Sequence, residues 1–254
     1  MTPRNLLQLR SRDDDAEKLA TTSGFDAIPI SRSDGKILEF WSGTEKRRIR
    51  IRRAHRAAHD APIESLLAAL GAHIVQFVHY RSEVVGLIDA SDLNKPIARI
   101  AWLYPMLELE RSLLDAARAR GISEQDQASA LGKHATAARK RRASAKRNDV
   151  ELPLLEYAQF LDLLRASRHL GLIDLDDTAM NELNAVRKRA AHSGDVVVEN
   201  RADCVRISAA LELARKTSRG IRVRRRRIQN GVTTRPRGLT RHAADGAMLE
   251  TRRG

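Results

Sequence analysis

The residues best equipped for chemistry fall together in "RKRAAH", Arg187 to His192. An arginine guanidinium stays charged and offers a planar fork of donors that matches a phosphate or a carboxylate. A histidine changes protonation near neutral pH, so it can take or give a proton. Lys188 adds a second positive charge beside them. Together such residues can hold an anion and move a proton. The set also suits an ordinary helix end, where basic side chains face the negative pole of the dipole and a glycine, here Gly194, follows the last turn.

The elements that must hold these residues are helical. "DLDDTAMNELNAVRKRAAH" predicts a helix with Asp at its start and an apolar face of Met180, Leu183, Ala190 and Ala191. At about 100° per residue, Arg187 falls inside that face and Arg189 on the solvent side. A charge in a helix seam needs a counter-charge, because a buried unpaired ion is costly. The candidate is Glu110, the one acid in the upstream row Ile97, Ile100, Leu103, Leu107, Glu110 and Leu114. On a straight helix Arg187 and His192 point about 140° apart. A shared site then needs side-chain reach, a distorted last turn or a second subunit.

The upstream helix lies in "SDLNKPIARIAWLYPMLELERSLLDAARARG", where Pro105 predicts a kink or a fresh start and Gly121 a stop. "SEQDQASALGKHATAARKRRASAKRNDVELP" reads as exposed helix and loop, and "LLEYAQFLDLLRASRHLGLI" and "NRADCVRISAALELARK" as further helices. Such helices form an all-α bundle.

The first hundred residues carry a different period. "FDAIPI", the turn "SRSDG" and "KILEFWS" read as a hairpin. After the helix "APIESLLAALGA", the segments "HIVQFVHY" and "VVGLIDASDL" repeat the order of strand, turn, strand. Two half-modules of this kind are expected to pack on one another. Between them "EKRRIRIRRAHRAAH" places seven Lys/Arg between Lys46 and Arg56, and its alternation turns one strand face to solvent.

The doubled plan resembles a cystathionine-β-synthase-type (CBS) pair, the Bateman module that senses adenosine nucleotides. In that family a hydroxyl meets phosphate and an acid holds the ribose. "GLIDASD" matches at Gly86 and Asp92, with Asp89 in the hydroxyl position; "ILEFWSGTE" offers Ser42 and Glu45, with Glu39 in place of the glycine. The resemblance implies Ser42, Glu45, Asp89 and Asp92 as nucleotide-binding residues and an AMP- or ATP-type regulatory ligand. Asp89 and Asp92 also fit the plain role of capping the next helix.

"RKRAAH", together with "RNDVELPLLEYAQFLDL" and "AHSGDVV", resembles the HEPN superfamily (higher eukaryotes and prokaryotes nucleotide-binding), including members that follow a CBS pair. That resemblance implies a homodimer whose paired motifs line a cleft and, in many members, a metal-independent endoribonuclease. His192 then acts as general base or acid and Arg187 holds the scissile phosphate. Lys188 stands where the family commonly has Asn; it can meet a phosphate but cannot accept a hydrogen bond from His192.

The expected fold class is α+β: a CBS-like α/β pair over 16–98, an all-α HEPN-like helical bundle over 99–219 and a basic disordered tail over 220–254. Charge follows the same division: from Arg215 to Gly254 thirteen basic residues face two acids, leaving only +3 of the +14 to the preceding residues. The arginine run fits contact with nucleic-acid phosphates, although an aromatic share of 4% disfavours base stacking. A single cysteine excludes an intrachain disulfide and fits a reducing compartment. No apolar run of membrane-spanning length appears and acids interrupt the N-terminal "MTPRNLLQLRSRDDDAEK", so a cytoplasmic protein without membrane contact is expected. The leading functional expectation is a ribonuclease, possible as a toxin, acting on RNA such as tRNA, with no required cofactor or metal and with adenine nucleotide as regulator. A noncatalytic nucleotide-sensing dimer and a basic nucleic-acid-binding accessory protein stay open.

Overall fold

The computed structural model describes residues 13–229, apart from 149, 151 and 193. The chain is α+β. The first sheet follows helix α1 (Asp13–Ser23) and joins β1 (Ala27–Ser31), β2 (Ile37–Ser42) and β3 (Arg47–Arg50) in antiparallel order. Gly35, at φ 80°, makes the β1–β2 turn possible, and the Asp34 carboxylate accepts the Lys36 N–H there. In the second sheet β4 (Arg56–Ala58) crosses over through α2 (Ile63–Ala72) to lie parallel to β5 (Val75–Tyr80), and β6 (Glu83–Asp89) returns antiparallel.

The two sheets pack face to face, as the repeated half-modules lead one to expect. Phe40, Ile37 and Ile51 meet Phe77, Val75 and Leu87, with the Phe40 and Phe77 rings 5.2 Å apart. The repeats are not equivalent, because the third strand follows the hairpin in the first sheet but precedes the helix in the second. In β3 the alternation is as read: Ile49 packs inward while Arg48 and Arg50 are exposed.

The helical part begins at α3 (Pro96–Ala119) and continues through α4 (Glu124–Leu131), α5 (Ala135–Lys146), α6 (Phe160–His169), α7 (Asp177–Ala191) and α8 (Arg201–Gln229). Several expectations change here. Pro105 neither breaks nor restarts α3, which is continuous across it. The buried face of α3 is Ala98, Trp102, Met106, Leu109 and Leu113, whereas Ile97, Ile100 and Leu107 of the expected row are exposed. The polar stretch after Gly121 folds into two helices hinged at Gly132 (φ 53°), and Leu131, Ala135 and Ala138 enter the core.

The expected boundary between 98 and 99 lies inside α3, and Leu67 and Leu70 of α2 belong to the same core as the helical part. The expected disordered tail is also shortened. Residues 220–229 continue α8, with Ile221 buried, Arg222 paired with Glu108 (2.6 Å) and Arg225 with Asp115 (3.2 Å). The remainder of that tail, 230–254, lies outside the described residues. Among the described residues no helix is long and apolar enough to cross a membrane.

Candidate functional site

Helix α7 starts at Asp176, whose carboxylate accepts the Ala179 N–H at 2.7 Å, and buries Met180, Leu183, Val186 and Ala190. The face is therefore rotated from the expected one: Val186 replaces Ala191, which is exposed at the last turn. Arg187 accordingly lies at the edge of the seam and not in its middle, with its side chain 34% exposed. Its Nη2 is 4.0 Å from Glu110 Oε2 on α3, so the expected pairing is present as a loose one. The guanidinium stands 5.8 Å from the centre of the Phe160 ring, and its Nε is buried without a hydrogen-bond partner.

Burial pushes the Glu110 carboxyl above the ordinary carboxylate range, and the positive charge of Arg187 only partly offsets this. The site thus combines a half-buried carboxyl with a guanidinium that keeps spare donors, and the guanidinium can serve an incoming oxyanion.

His192 is the C-cap of α7, exposed, at φ −95° and ψ 115°. Since the chain has left the helix there, the 140° separation of a straight helix no longer governs its direction. Its N–H donates to the Lys188 carbonyl at 3.1 Å, and its carbonyl accepts from Arg99. Among the described residues no side-chain hydrogen bond joins His192 to Arg187, Glu110 or Lys188, and Lys188 is exposed.

Arg99 was invisible to pattern reading, yet it organises this end of the site. From α3 its Nε donates to Asn94 O at 2.9 Å, and its Nη atoms donate to the carbonyls of His192 and Asp195, with Arg189 O at 3.5 Å. A cation on these free carbonyls is favoured by both charge and hydrogen bonding. Asn94 completes the clamp, accepting the Val197 and Val198 N–H groups at 2.8 and 2.9 Å. The only sequence signal is angular: Arg99 and Glu110 are eleven residues apart, about three turns, and so share one face of α3.

Arg189 is likewise more than surface charge, since it lies 3.9 Å from the largely buried Asp203 carboxylate on α8.

The expected nucleotide residues are not gathered in one place. Asp89 accepts the N–H groups of Ser91 (2.8 Å) and Asp92 (3.3 Å), while Asp92 accepts the Asp89 N–H (3.1 Å) and pairs with Lys95. Both acids are thus engaged as caps of the short 3-10 turn Ala90–Asn94. Gly86 has a packing reason, because a Cβ there would stand 3.3 Å from Val78 Cβ. Ser42 is fully buried and accepts the Glu45 N–H at 3.1 Å, and Glu45 is bonded to Arg47 (2.8 Å from Nε). Ser42 and Glu45 do share a cleft of about 200 Å³ with His55, His73 and Arg201. The two imidazoles there are 4.7 Å apart, and burial, then the neighbouring His73, lowers the proton affinity of His55. Asp89 and Asp92 line separate clefts of about 760 and 670 Å³.

Cys204 is buried, and burial followed by the Asp203 charge pushes its thiol up, which makes it a poor nucleophile. Among the described residues no group of three or more His, Cys, Asp or Glu could hold a metal. Comparison with protein-family models, with curated proteins and with solved structures gives no match, so the CBS and HEPN resemblances stand on the quoted motifs alone.

Proposed function

We propose that the α3–α7 site binds and cleaves RNA by intramolecular transfer to the 2′-hydroxyl, as a HEPN-type endoribonuclease. The observation that carries this reading is Arg187: half-buried, its Nε without a partner, and its carboxylate as far as 4.0 Å away. A guanidinium so loosely engaged can accept a phosphate without first breaking a strong ion pair. Glu110 positions it from behind. His192, exposed at the C-cap of α7, takes the proton of the 2′-hydroxyl; the oxygen attacks phosphorus, the P–O5′ bond breaks, and the 5′-oxygen leaves with a proton from water. The products are a 2′,3′-cyclic phosphate and a 5′-hydroxyl. Lys188 supplies further charge for the strand.

The test is incubation of the purified protein with tRNA and total RNA, with and without a chelator, beside Arg187→Ala and His192→Ala. Cleavage that is lost in both variants and retained with chelator is expected. Cleavage that persists in His192→Ala, or none in the parent protein, refutes the reading.

A second reading, of an adenine nucleotide as regulatory ligand, is favoured by the cleft at Ser42, Glu45, His55, His73 and Arg201. Calorimetric titration with AMP and ATP tests it, and Ser42→Val is expected to abolish the heat. Under this reading alone the chain is a noncatalytic sensor.

A further inference from the structure

Positive charge is concentrated on a stretch that the Arg187 site does not use. Residues 127–148 hold seven Lys/Arg and neither Asp nor Glu, against a net of +3 for the whole chain before Arg215. Six of the seven lie on α5 or at its end. There Ala135 and Ala138 are buried, Arg141 Nε donates to the Tyr157 carbonyl at 2.6 Å, and Arg142 pairs with Glu124 of α4 at 2.8 Å. Arg139, Lys140 and Arg147 are exposed and form no ion pair among the described residues, although Arg147 donates to the Ser144 hydroxyl at 3.2 Å. The helix dipole accounts for Lys146 and Arg147 at the C-terminal end, but not for Arg139 and Lys140 in the middle. Like charges on neighbouring turns repel, so this face is relieved by an anion from outside the chain.

We propose that the exposed face of α5 docks a nucleic-acid duplex by its phosphates, as a surface separate from the Arg187 site. At about 100° per residue, Lys140 and Arg147 stand within about 20° of one line along the helix, two turns or about 10 Å apart, and Arg139 stands on a second line about 100° round. Thr136 and Ala143 lie between the two lines and are exposed, so short side chains let the helix approach closely while cations flank it on both sides. That arrangement fits a partner whose charges run in two rows. A duplex carries about one charge per 1.7 Å of its axis, so the roughly 12 Å from Arg139 to Arg147 faces about seven phosphates. A single strand fits less well, because unpaired bases are held by stacking on aromatic rings, and 124–148 contains no Phe, Tyr or Trp. An acidic polypeptide lacks the two fixed rows.

The docking surface rests on α5 alone, whereas its consequence for cleavage rests on the RNA-cleavage reading. Tyr157, whose carbonyl holds Arg141, stands three residues before Phe160, and the Phe160 ring faces Arg187 at 5.8 Å. Chain reach therefore puts the Arg141 guanidinium within roughly 20 Å of Arg187. An RNA stem held on α5 leaves its flanking strand that distance to cross, which makes the preferred substrate an RNA with a stem beside the cleaved strand.

Fluorescence anisotropy of the full chain with a labelled RNA duplex, a DNA duplex of the same sequence and an oligouridine of equal length, over a range of salt concentrations, tests the surface. Whichever duplex binds more tightly, Arg139→Gln, Lys140→Gln and Arg147→Gln together are expected to flatten its slope of log affinity against log salt by about 2–3 and to weaken binding at least about tenfold near physiological salt. The far-ultraviolet circular dichroism and Tm of this variant should match the parent's. Arg139→Lys with Arg147→Lys, which keeps the charge, is expected to keep the parent's slope. Removing as many charges from the tail, by Arg235→Gln, Arg237→Gln and Arg241→Gln, is expected to change the slope by less than about one contact. A parent that binds neither duplex overturns the proposal, as does an unchanged slope in the α5 variant or an equal loss in the tail variant. Oligouridine that binds as tightly as the duplexes, or polyglutamate that displaces them at equal charge, also overturns it. A chain that docks a duplex through α5 but leaves RNA intact keeps this surface and removes only the cleavage reading, and an RNA-cleaving chain whose α5 variant binds duplex like the parent does the reverse.

Discussion

Arg99→Ala should loosen the end of α7 that carries His192. In the parent protein one guanidinium serves the carbonyls of Asn94, His192 and Asp195 and approaches that of Arg189. A hydrogen bond from a charged donor contributes about 1.5–3 kcal/mol when desolvated. The bonds to His192 and Asp195 are exposed, so each is discounted to about 0.5–1 kcal/mol, and the half-buried bond to Asn94 contributes about 1 kcal/mol more. The favourable placement of a cation at a helix C-terminus is already contained in these figures. The sum, about 2–3 kcal/mol, corresponds to a fall in Tm of roughly 4–12 °C for a chain of this size. Thermal unfolding followed by circular dichroism measures it. Arg99→Lys is the control: it keeps the charge but loses the fork, and about half of the loss is expected. Amide exchange over residues 192–198 should accelerate in step, whereas exchange in α6 should not. A Tm within 1 °C of the parent, or exchange unchanged at 192–198, refutes the clamp.

Four further outcomes follow from the same geometry. For Glu110, whose carboxyl is raised above its ordinary 4.5, the folded state binds more protons than the unfolded state between the two values, so the parent should lose Tm relative to Glu110→Gln as pH rises from 4.5 upward; a parallel pair of Tm–pH curves counts against that shift. Asp89→Ala removes the cap on the Ser91 and Asp92 N–H groups and should cost about 1 kcal/mol in urea unfolding while leaving AMP affinity unchanged; a large drop in affinity restores Asp89 to a ligand site. Truncation after Arg219 removes buried Ile221 and the Arg222–Glu108 and Arg225–Asp115 pairs, and should lower stability by about 2–4 kcal/mol; an unchanged Tm means that residues 220–229 do not dock. Lys188→Asn should flatten the salt dependence of RNA binding by about one phosphate contact, and an unchanged slope takes Lys188 out of the strand path.

How far the sequence was legible depends on the range of the interaction. Arg187 and Glu110 were paired from helical angles alone, because both lie on amphipathic helices where a charge near the apolar arc must find company. The same arithmetic misjudged the arc, which centres on Leu183, Val186 and Ala190 and leaves Ala191 outside it. On α3 both faces are apolar, so periodicity could not choose between the Trp102–Met106–Leu109 row that is buried and the Ile97–Ile100–Leu107 row that is not. Asp89 and Asp92 fit two roles by residue type, and their backbone partners decide for capping. The arginines of 222–226 read as a disordered tract because their carboxylates, Glu108 and Asp115, are more than a hundred residues upstream. Arg99 escaped notice for a different reason: its acceptors are backbone carbonyls, which leave no trace in a pattern of side chains.

The clamp bears directly on the departure at Lys188. A side chain that accepts a hydrogen bond fixes an imidazole by its tautomer, and Lys188 cannot do this. Here the residue carrying the imidazole is instead held through its backbone, by Arg99 on the carbonyl and by the turn that ties its N–H to Lys188 O. Backbone restraint limits where the ring can be but leaves its rotamer and tautomer free, so substrate must complete the orientation. On the proposed RNA reading, that completion falls to a phosphate seated on Arg187, which must bring the adjacent 2′-hydroxyl to the His192 ring. The chemistry proposed for this chain therefore depends less on a preformed histidine than on a phosphate held at Arg187, which makes phosphate binding there a stricter requirement than the identity of residue 188.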